Sequence, residues 1–510
     1  MACDDYWDYE TDVIVVGYGL AGAVAAIEAH DTRAEVVILE KSQYAGGLSI
    51  LSGGMILCAR NTEDAIDYMT ATSGGRVDKR LICAFARDLV KNEEYLRKLA
   101  DPYHAVVRTT EANIALGYPF KGNYTFYRAG VTSVPGFRGF SWVQRLSSAA
   151  VNLMKILFDS VHDRSVTVML STAAERLLDV EGEVVGVIAN RDGKKLKLKA
   201  RRAVILSCGG FEQDSWLLKQ YLQGMPFYSV APSTYTGDGI RMAQKVGASL
   251  WHMWHIHGSY GYKFEEFPIA FRTPFAGSRN PNRIMPWIVV DRFGVRYMNE
   301  YQPAPQDTAH RAMEIFDPDM PGYPRIPSYI IFDEAGRKHG PIAKPISIGG
   351  NIYTWSQDNE KEITKGWILQ ASSVSELALK IRETSENETK MDPKILESSI
   401  LQWNNTVKMA KDYLQRPPGT MMEIEFPPFY AVPVWPIINN TQGGPQHDAR
   451  QQILDAFSEP VPRLYAAGEL GSFWSHLYLL SGNLGECLSS GRIAGKNSAM
   501  ESTRNTAHHA

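Results

Sequence analysis

The hydrophobic positions in the first third of the chain alternate between short apolar runs and longer stretches with helical spacing. An apolar run over 13–16 precedes an alanine-rich stretch, and a second apolar run covers 36–39. Short apolar runs separated by a helical segment predict a strand–helix–strand unit within a parallel sheet. Apolar residues recur at spacings of three and four through 63–100 and through 143–160, which predicts further helices.

The pattern between and after these helices changes twice. Residues 101–142 are rich in glycine, proline and aromatic residues, which predicts a long ordered loop over a pocket or, equally, a surface flap. Strand-like runs return at 166–170 and 203–207. Between them lies a hairpin pattern with Asp192-Gly193 at its turn.

The organisation into domains follows from the length of the chain and from a change in its composition and pattern near residue 248. A chain of 510 residues is too long for one core. Residues 248–428 hold many aromatics and prolines and no strand–helix–strand repeat, with a charged helical pair over 360–412. We therefore predict a first domain in two parts, 1–247 and 429–510, with 248–428 inserted as a cap.

Composition limits the classes of function. The hydrophobic fraction is 44%, the charged fraction 21% and the formal net charge −3, which indicates a globular protein without affinity for nucleic acid. No apolar run approaches the roughly 20 residues that span a bilayer, and the acidic N-terminus does not resemble a signal peptide. We expect a cytoplasmic location. The five cysteines are scattered without a CxxC pair, so redox chemistry needs an organic cofactor.

A glycine motif follows the first apolar run directly. Its residues are Gly17, Tyr18, Gly19, Leu20, Ala21 and Gly22. Gly17 permits a tight turn, Gly19 lets a pyrophosphate approach the backbone, and Gly22 lets helix and strand pack closely. Glu40, at the end of the second run, can accept hydrogen bonds from a ribose diol. Strand, glycine turn, helix, strand and acid in this order predict a dinucleotide site at a helix N-terminus.

Two further glycine clusters after Glu40 favour FAD over NAD. They lie where a nicotinamide-binding domain continues with another strand–helix unit, and the alternative is a flexible loop. The residues that we expect to contact FAD here are Lys41, Gly46, Gly47, Ser49, Gly53 and Gly54. Later contacts are expected from Ala173, Ala174, Gly209, Gly210, Gly237 and Asp238.

The motifs taken together resemble one flavoprotein family. They are GYGLAG, LSCGGFE, TGDGIRMAQKVGA, DRFGVRYMNE, NNTQGG and LYAAGELGS. This set resembles the soluble fumarate reductases and 3-ketosteroid dehydrogenases. The resemblance implies an α/β fold with a two-dinucleotide-fold (Rossmann-like) domain, an inserted α+β cap and noncovalent FAD. It also implies chemistry between two carbons adjacent to a carbonyl.

The resemblance assigns further residues around the flavin. Glu469, beside Gly468, would bind the ribityl chain. A helix beginning near Gly482, Asn483 and Leu484 would point its N-terminus at flavin N1 and the C2 carbonyl, where negative charge gathers on reduction.

Departures from the family pattern bear on the substrate. Fumarate reductases carry an Arg shortly after the Asn-Glu of DRFGVRYMNE, a His before TxGG and an Arg before LxGN. This chain has Tyr301 to Ala304, Asn440 and Leu479 there. Because an unpaired buried charge costs several kcal/mol, the pattern argues against fumarate. Ketosteroid dehydrogenases use tyrosines in two of these segments; this chain has Tyr301 and Tyr478, but Ala304 at one expected tyrosine position.

The proton that accompanies hydride transfer needs an acid or base. Tyr478 is our first candidate, with His476 as a modulator, followed by Tyr301 and then His257. Nearby N–H groups or a histidine lower a tyrosine pKa from its usual value of about 10. A backbone N–H or hydroxyl from Ser481 or Gly482 is expected to bind the substrate carbonyl. His252, His255 and His257 alternate as on a strand, but without acidic or cysteine companions they predict no metal site.

The sequence therefore predicts an FAD-dependent oxidoreductase of an apolar cyclic ketone or enone, as desaturase or ene-reductase. One alternative is a reductase of an unsaturated carboxylic acid. The other is a flavin-binding protein without catalysis. The direction of the reaction and the electron partner stay open.

Overall fold

The computed structural model describes residues 6–111, 123–143, 147–274, 282–301, 308–344, 346–348, 351–479 and 481–503. Ala304, Cys3 and the aromatics Tyr118 and Phe120 lie outside these ranges.

Twenty-two strands are named here in chain order. They are β1 (Tyr9–Val16), β2 (Val36–Leu39), β3 (Met55–Ala59), β4 (Val106–Glu111), β5 (Phe126–Ser133), β6 (Thr167–Met169), β7 (Thr172–Val180), β8 (Glu183–Arg191), β9 (Lys194–Leu206), β10 (Tyr228–Ser229), β11 (Leu250–Trp251), β12 (Ile256–Tyr262), β13 (Phe271–Arg272), β14 (Ile288–Val290), β15 (Ser328–Asp333), β16 (Ile346–Ile348), β17 (Asn351–Tyr353), β18 (Leu369–Ala371), β19 (Phe429–Thr441), β20 (Gly444–Pro445), β21 (Gln452–Leu454) and β22 (Pro460–Ala466).

The α-helices of the described part are named in the same way. They are α1 (Leu20–Asp31), α2 (Gly47–Leu51), α3 (Thr62–Thr72), α4 (Lys79–Leu89), α5 (Asn92–Ala100), α6 (Ser148–Asp163), α7 (Ser215–Tyr221), α8 (Asp238–Lys245), α9 (Glu334–Lys338), α10 (Glu360–Thr364), α11 (Val374–Arg382), α12 (Pro393–Met409) and α13 (Gly482–Ala499).

The first sheet has the strand order β21-β22-β9-β1-β2-β6, and its five strands from β22 to β6 run parallel. The predicted strand–helix–strand unit is confirmed as β1, α1 and β2, with Val13 paired to Val36. The predicted hairpin is confirmed as β8 and β9 with Asp192-Gly193 between them. Strand β9 continues without a break into the parallel sheet, so the expected separate strand over 203–207 is its second half.

The prediction of a loop or flap over 101–142 was wrong for two segments. Strands β4 and β5 lie in this range and form an antiparallel three-stranded sheet with β3. Ala129 and Val131 of β5 pack into the same core as Leu153 of α6. Tertiary packing against α6 stabilises strands whose own sequence is broken by glycine and charged residues.

The second sheet has the order β13-β12-β19-β15-β14, with β10 and β18 also paired to β19. One face of this sheet packs in an aromatic cluster that includes Trp287 and Trp355. The other face packs against α11 and α12 through Leu377 and Trp403. Strand β19, which we had assigned to the returning first domain, pairs with β12 and β15 of this sheet. The domain boundaries stay a prediction.

Candidate active site

A cleft opens where the parallel strands β1, β2 and β9 end, the place at which open α/β sheets bind ligands. Twelve of the expected cofactor residues line it: Gly17, Gly19, Leu20, Ala21, Glu40, Lys41, Gly47, Ser49, Ala174, Gly209, Asp238 and Glu469. The start of α1 therefore faces the cleft, where its N–H groups and dipole favour a phosphate.

The reason for a glycine differs among the three motif positions. A Cβ on Gly17, whose φ is +106°, would lie 2.5 Å from the carbonyl oxygen of Ser207. A Cβ on Gly22 would lie 2.0 Å from the oxygen of Gly17. A Cβ on Gly19 would meet nothing closer than the Ser49 Oγ at 3.5 Å. Gly17 and Gly22 are thus required by packing, whereas Gly19 leaves the backbone open to the cleft.

Glu40 is held at the expected ribose end of the cleft. Its Oε2 accepts from the Tyr18 N–H at 2.9 Å and its Oε1 from the Ser42 N–H at 2.8 Å. Burial raises the pKa of Glu40, and these two donors oppose that shift. Beside it, Lys41 Nζ lies 2.7 Å from Asp238 Oδ2. The two side chains expected to contact the cofactor directly are therefore also paired with each other.

The other expected cofactor residues do not line the cleft. They are Gly22, Gly46, Gly53, Gly54, Ala173, Gly210, Gly237, Gly468, Asn483 and Leu484. Several of them pack elements together instead. A Cβ on Gly54 would lie 2.0 Å from the Ala150 nitrogen, and one on Gly210 would lie 2.0 Å from Thr441 Oγ1. These glycines therefore support the walls of the cleft.

Sequence reasoning missed several aromatic and cysteine residues that line the cleft: Tyr18, Tyr44, Trp142, Cys208, Tyr235 and Cys487. The Tyr235 hydroxyl accepts from the Leu48 N–H at 2.5 Å, and its ring would touch a Cβ on Gly209 at 2.4 Å. Tyr235 directly precedes the TGDG motif. This position is the sequence signal that could have identified it.

At the far end of the cleft lies a buried carboxyl pair, Glu469 and Glu212. Asn440 Nδ2 donates to Glu469 Oε1 at 2.6 Å, and Glu212 Oε1 accepts from the Thr441 N–H at 2.7 Å. Burial raises the pKa of Glu469 well above its usual range, and the nearby Glu212 raises it further. Burial raises the pKa of Glu212 as well, so these surroundings disfavour ionisation of both carboxyls.

Tyr478, the first candidate acid–base residue, lies in the loop before α13. Its ring stacks on His257 with 4.0 Å between centroids and stands edge-on to Trp474 at 6.0 Å. Burial raises the pKa of Tyr478, and the backbone N–H groups of Asn483 and Ser481, which donate toward its oxygen, lower it in part. The start of α13 therefore faces the phenol.

His257 connects Tyr478 to the carboxyl pair. Its Nδ1 lies 3.4 Å from Asn440 Oδ1, and the amide of the same Asn440 donates to Glu469. The structure thus brings Tyr478, His257, Ser481 and Asn440 together. The Gly482 N–H donates to the Leu479 oxygen at 2.6 Å, so the Ser481 hydroxyl is the better candidate for a substrate carbonyl.

His476 and Tyr301 make other contacts. The His476 ring packs 5.5 Å from Trp254, and its backbone oxygen accepts from Arg311 at 2.7 Å. Tyr301 packs in the aromatic cluster of the second sheet, and Tyr478 packs in a different cluster around Phe473. The modulating role of His476 stays a prediction, and the ring that stacks on Tyr478 is that of His257.

The predicted alternation of three histidines on one strand was wrong. His252 follows β11 with φ at +52°, His255 precedes β12, and only His257 lies on that strand. His252 Nδ1 contacts the Ser472 oxygen at 2.9 Å and His255 Nδ1 the Trp474 oxygen at 3.0 Å. Both therefore contact the backbone of the segment that leads to α13. Within the ranges that the structure describes, no group of three or more side chains could hold a metal ion.

A phosphate-facing helix start, an acid at the ribose end and a cleft that continues to Glu469 and α13 define a dinucleotide-binding flavoprotein. The chain belongs to the FAD binding domain family (type 2), whose model matches residues 12–484. It is an FAD-dependent oxidoreductase. The residues of the cleft fit this cofactor, because an acid, open backbone N–H groups and apolar walls are the groups that a flavin dinucleotide needs. Among the described helices, none is long and apolar enough to cross a membrane.

Relatives and solved structures cover nearly the whole chain. It is 24% identical to fumarate reductase (cytochrome) of Shewanella frigidimarina, over 97% of this chain and 78% of that protein. It is 26% identical to 4-oxocyclohexanecarboxylate 2-dehydrogenase of Sinomonas cyclohexanicum, over 96% of this chain and 92% of that protein. The fold is similar to that of 3-ketosteroid delta1-dehydrogenase from Sterolibacterium denitrificans, with a TM-score of 0.75 and 22% sequence identity. The match covers 96% of this chain and 99% of that chain.

Proposed function

We propose that this oxidoreductase acts on the carbon–carbon bond next to the carbonyl of a cyclic ketone or enone, with Tyr478 as the proton-transferring side chain. The observation that carries the proposal is the position of Tyr478 between His257 and the start of α13. Bound FAD supplies hydride exchange with one of the two carbons. The protein must then exchange a proton with the other carbon.

Tyr478 suits the donation of that proton. Burial raises its pKa, so the phenol is protonated at neutral pH and can donate to the carbon that lies next to the carbonyl. The phenolate that remains is stabilised by the Ser481 and Asn483 N–H groups at the helix start. A phenol that is protonated at neutral pH favours reduction of an enone, which consumes a proton. The reverse reaction, desaturation of the ketone, needs the phenolate as base.

The substrate carbonyl needs a donor as negative charge develops on its oxygen. We propose the Ser481 hydroxyl for this role, since Ser481 lies at the N-cap of α13 three residues after Tyr478. Polarisation of the carbonyl makes the neighbouring carbons reactive toward hydride and proton.

Two similarities support a cyclic ketone. The names of 4-oxocyclohexanecarboxylate 2-dehydrogenase and 3-ketosteroid delta1-dehydrogenase place a cyclic ketone in the substrates of those proteins. Fumarate reductase acts on an unsaturated acid, and this chain has Asn440 and Leu479 where that family resemblance led us to expect a His and an Arg.

The test is the rate at which an enone reoxidises the chemically reduced flavin under anaerobic conditions. We expect Tyr478→Phe to keep its flavin spectrum and to lose about 100-fold or more in rate with 2-cyclohexenone. Tyr413→Phe, an exposed tyrosine of the second domain, is the matched control and should keep the full rate. A Tyr478→Phe enzyme with full turnover would overturn the role of Tyr478.

A further inference from the structure

A second cavity, which we call the side cavity, lies beside the cleft. It is enclosed by the end of α6, the edge strand β6 and the segment 43–45. Its volume of about 420 Å³ falls within the range of about 300–1,000 Å³ that is typical of small-molecule sites. Tyr18, Tyr44, Ala45 and Trp142 line both the side cavity and the cleft. The two spaces therefore share one wall.

Aromatic rings form much of this shared wall. The rings of Tyr44 and Trp142 lie parallel, with centroids 5.4 Å apart and planes 4° apart. The ring of Phe158 on α6 packs with its centroid 5.0 Å from that of Tyr18. Tyr44 is 47% exposed, and Val168 of β6, which also lines the side cavity, is only half-buried. Apolar surface is thus left uncovered, and a planar ring stacked in the cavity would cover it.

The charges around the side cavity favour a neutral molecule. Among its described lining residues, none is Lys, Arg, Asp or Glu, whereas Gln43 and His162 contribute polar side chains. Burial raises the pKa of Tyr18, and the charge of Asp159 raises it further, so this phenol is neutral at physiological pH. An anionic ligand would find no Lys or Arg among these residues, and an unpaired charge is costly to bury.

Tyr18 connects the side cavity to the cofactor turn, because it lies between Gly17 and Gly19 of the glycine motif. Its backbone N–H donates to Glu40 Oε2 at 2.9 Å, and its carbonyl accepts from the Gly46 N–H at 2.8 Å. The ring of the same residue lines the side cavity. A molecule that holds this ring in place therefore also restrains the turn that faces the cofactor.

We propose that the side cavity binds a neutral, planar molecule of one or two fused aromatic rings, and that this binding slows the release of FAD. Apolar cavities inside proteins bind aromatic molecules of matching size. Since the coupling between two sites is reciprocal, bound FAD also tightens the binding of the aromatic molecule. Neither Tyr478 nor His257 lines the side cavity, so this inference does not depend on the proposed function.

The first experiment measures binding to the oxidised holoenzyme by equilibrium dialysis. The probes are 2-naphthol and 2-naphthoate, which share the bicyclic ring but differ in charge at neutral pH. We expect 2-naphthol to bind about tenfold tighter or more, because the cavity offers the carboxylate no cationic partner. Equal binding of the two probes, or no binding of 2-naphthol, would overturn the proposal.

A filled cavity assigns the binding to this place in the fold. Val168→Phe adds a ring to the cavity wall and should weaken 2-naphthol binding about tenfold or more. Val180→Phe, at the exposed end of β7, is the matched control and should bind as wild type does. Undiminished binding in Val168→Phe would overturn the assignment. If that variant fails to fold, Tyr44→Ala removes an exposed ring of the same wall, and undiminished binding there would have the same meaning.

The second experiment tests the coupling to the cofactor. Release of FAD from the diluted holoenzyme is followed by the fluorescence of free FAD, with and without saturating 2-naphthol. We expect 2-naphthol to slow the release about fivefold in wild type and in Val180→Phe, and to leave it unchanged in Val168→Phe. Bound 2-naphthol with an unchanged rate of FAD release in wild type would overturn the coupling.

Discussion

The imidazole of His257 stacks on the phenol of Tyr478 with ring centroids 4.0 Å apart and planes 29° apart. His257 lies on β12 in the second sheet, whereas Tyr478 lies in the loop that leads to α13 beside the first sheet. The contact joins a residue of each part of the molecule. The proposed acid–base group is therefore positioned by the packing of the second sheet against this loop.

We expect His257→Phe to preserve the ring stack and to remove the contact with Asn440. Loss of one hydrogen-bonded contact of about 1 kcal/mol corresponds to roughly a fivefold fall in the rate of flavin reoxidation by an enone. Stopped-flow absorbance measures this rate. His476→Phe is the control, and an equal loss in both variants would contradict the assignment to His257.

The pH dependence of enone reduction should follow the protonated phenol. Because burial raises the pKa of Tyr478, the donor form persists through neutral pH and is lost only as pH rises beyond about 10. We expect a rate that stays flat from about pH 6 to about pH 10 and declines only above that range. Absence of the alkaline decline in Tyr478→Phe would agree with this, whereas a wild-type decline below pH 8 would contradict it.

Gly22→Ala should reduce the FAD content. Its Cβ would lie 2.0 Å from the Gly17 oxygen, and such overpacking costs about 1–3 kcal/mol and displaces the start of α1. Ser398→Ala, on the exposed side of α12 and away from the cleft, is the control and should keep its flavin. The ratio of flavin to protein absorbance and the Tm measure the outcome. Full flavin content in Gly22→Ala would show that the turn tolerates the displacement.

Glu300→Gln should destabilise the second domain. It removes the partner of Arg296 and Arg416, and breaking a buried ion pair costs about 3–5 kcal/mol. The free energy of unfolding from denaturant titration tests this, with the exposed Glu383→Gln as control. A loss below about 1 kcal/mol would contradict the buried pairing.

The same network should make stability depend on pH. Burial alone would raise the pKa of Glu300, but Arg296 and Arg416 lower it below its ordinary value. A depressed folded-state pKa contributes stability above the unfolded value of about 4.3, and this contribution is lost as pH falls through the folded pKa. We expect the Tm of wild type to fall more steeply below pH 4 than that of Glu300→Gln. Parallel curves would contradict the coupling.

The sequence by itself determined the dinucleotide half of the molecule. Gly17, Gly19, Gly22 and Glu40 act within one local strand–helix–strand unit, so their spacing along the chain fixes their geometry. The motifs farther along the chain are also short local segments, and together they identified the family.

Only the tertiary structure brought together the residues of the proposed substrate site. His257 and Tyr478 come from β12 and the loop before α13, and no spacing along the chain relates them. The same holds for β4 and β5, which form a sheet with β3 and pack against α5 and α6. Local motifs report backbone geometry, whereas charge pairing and burial depend on which distant segments meet.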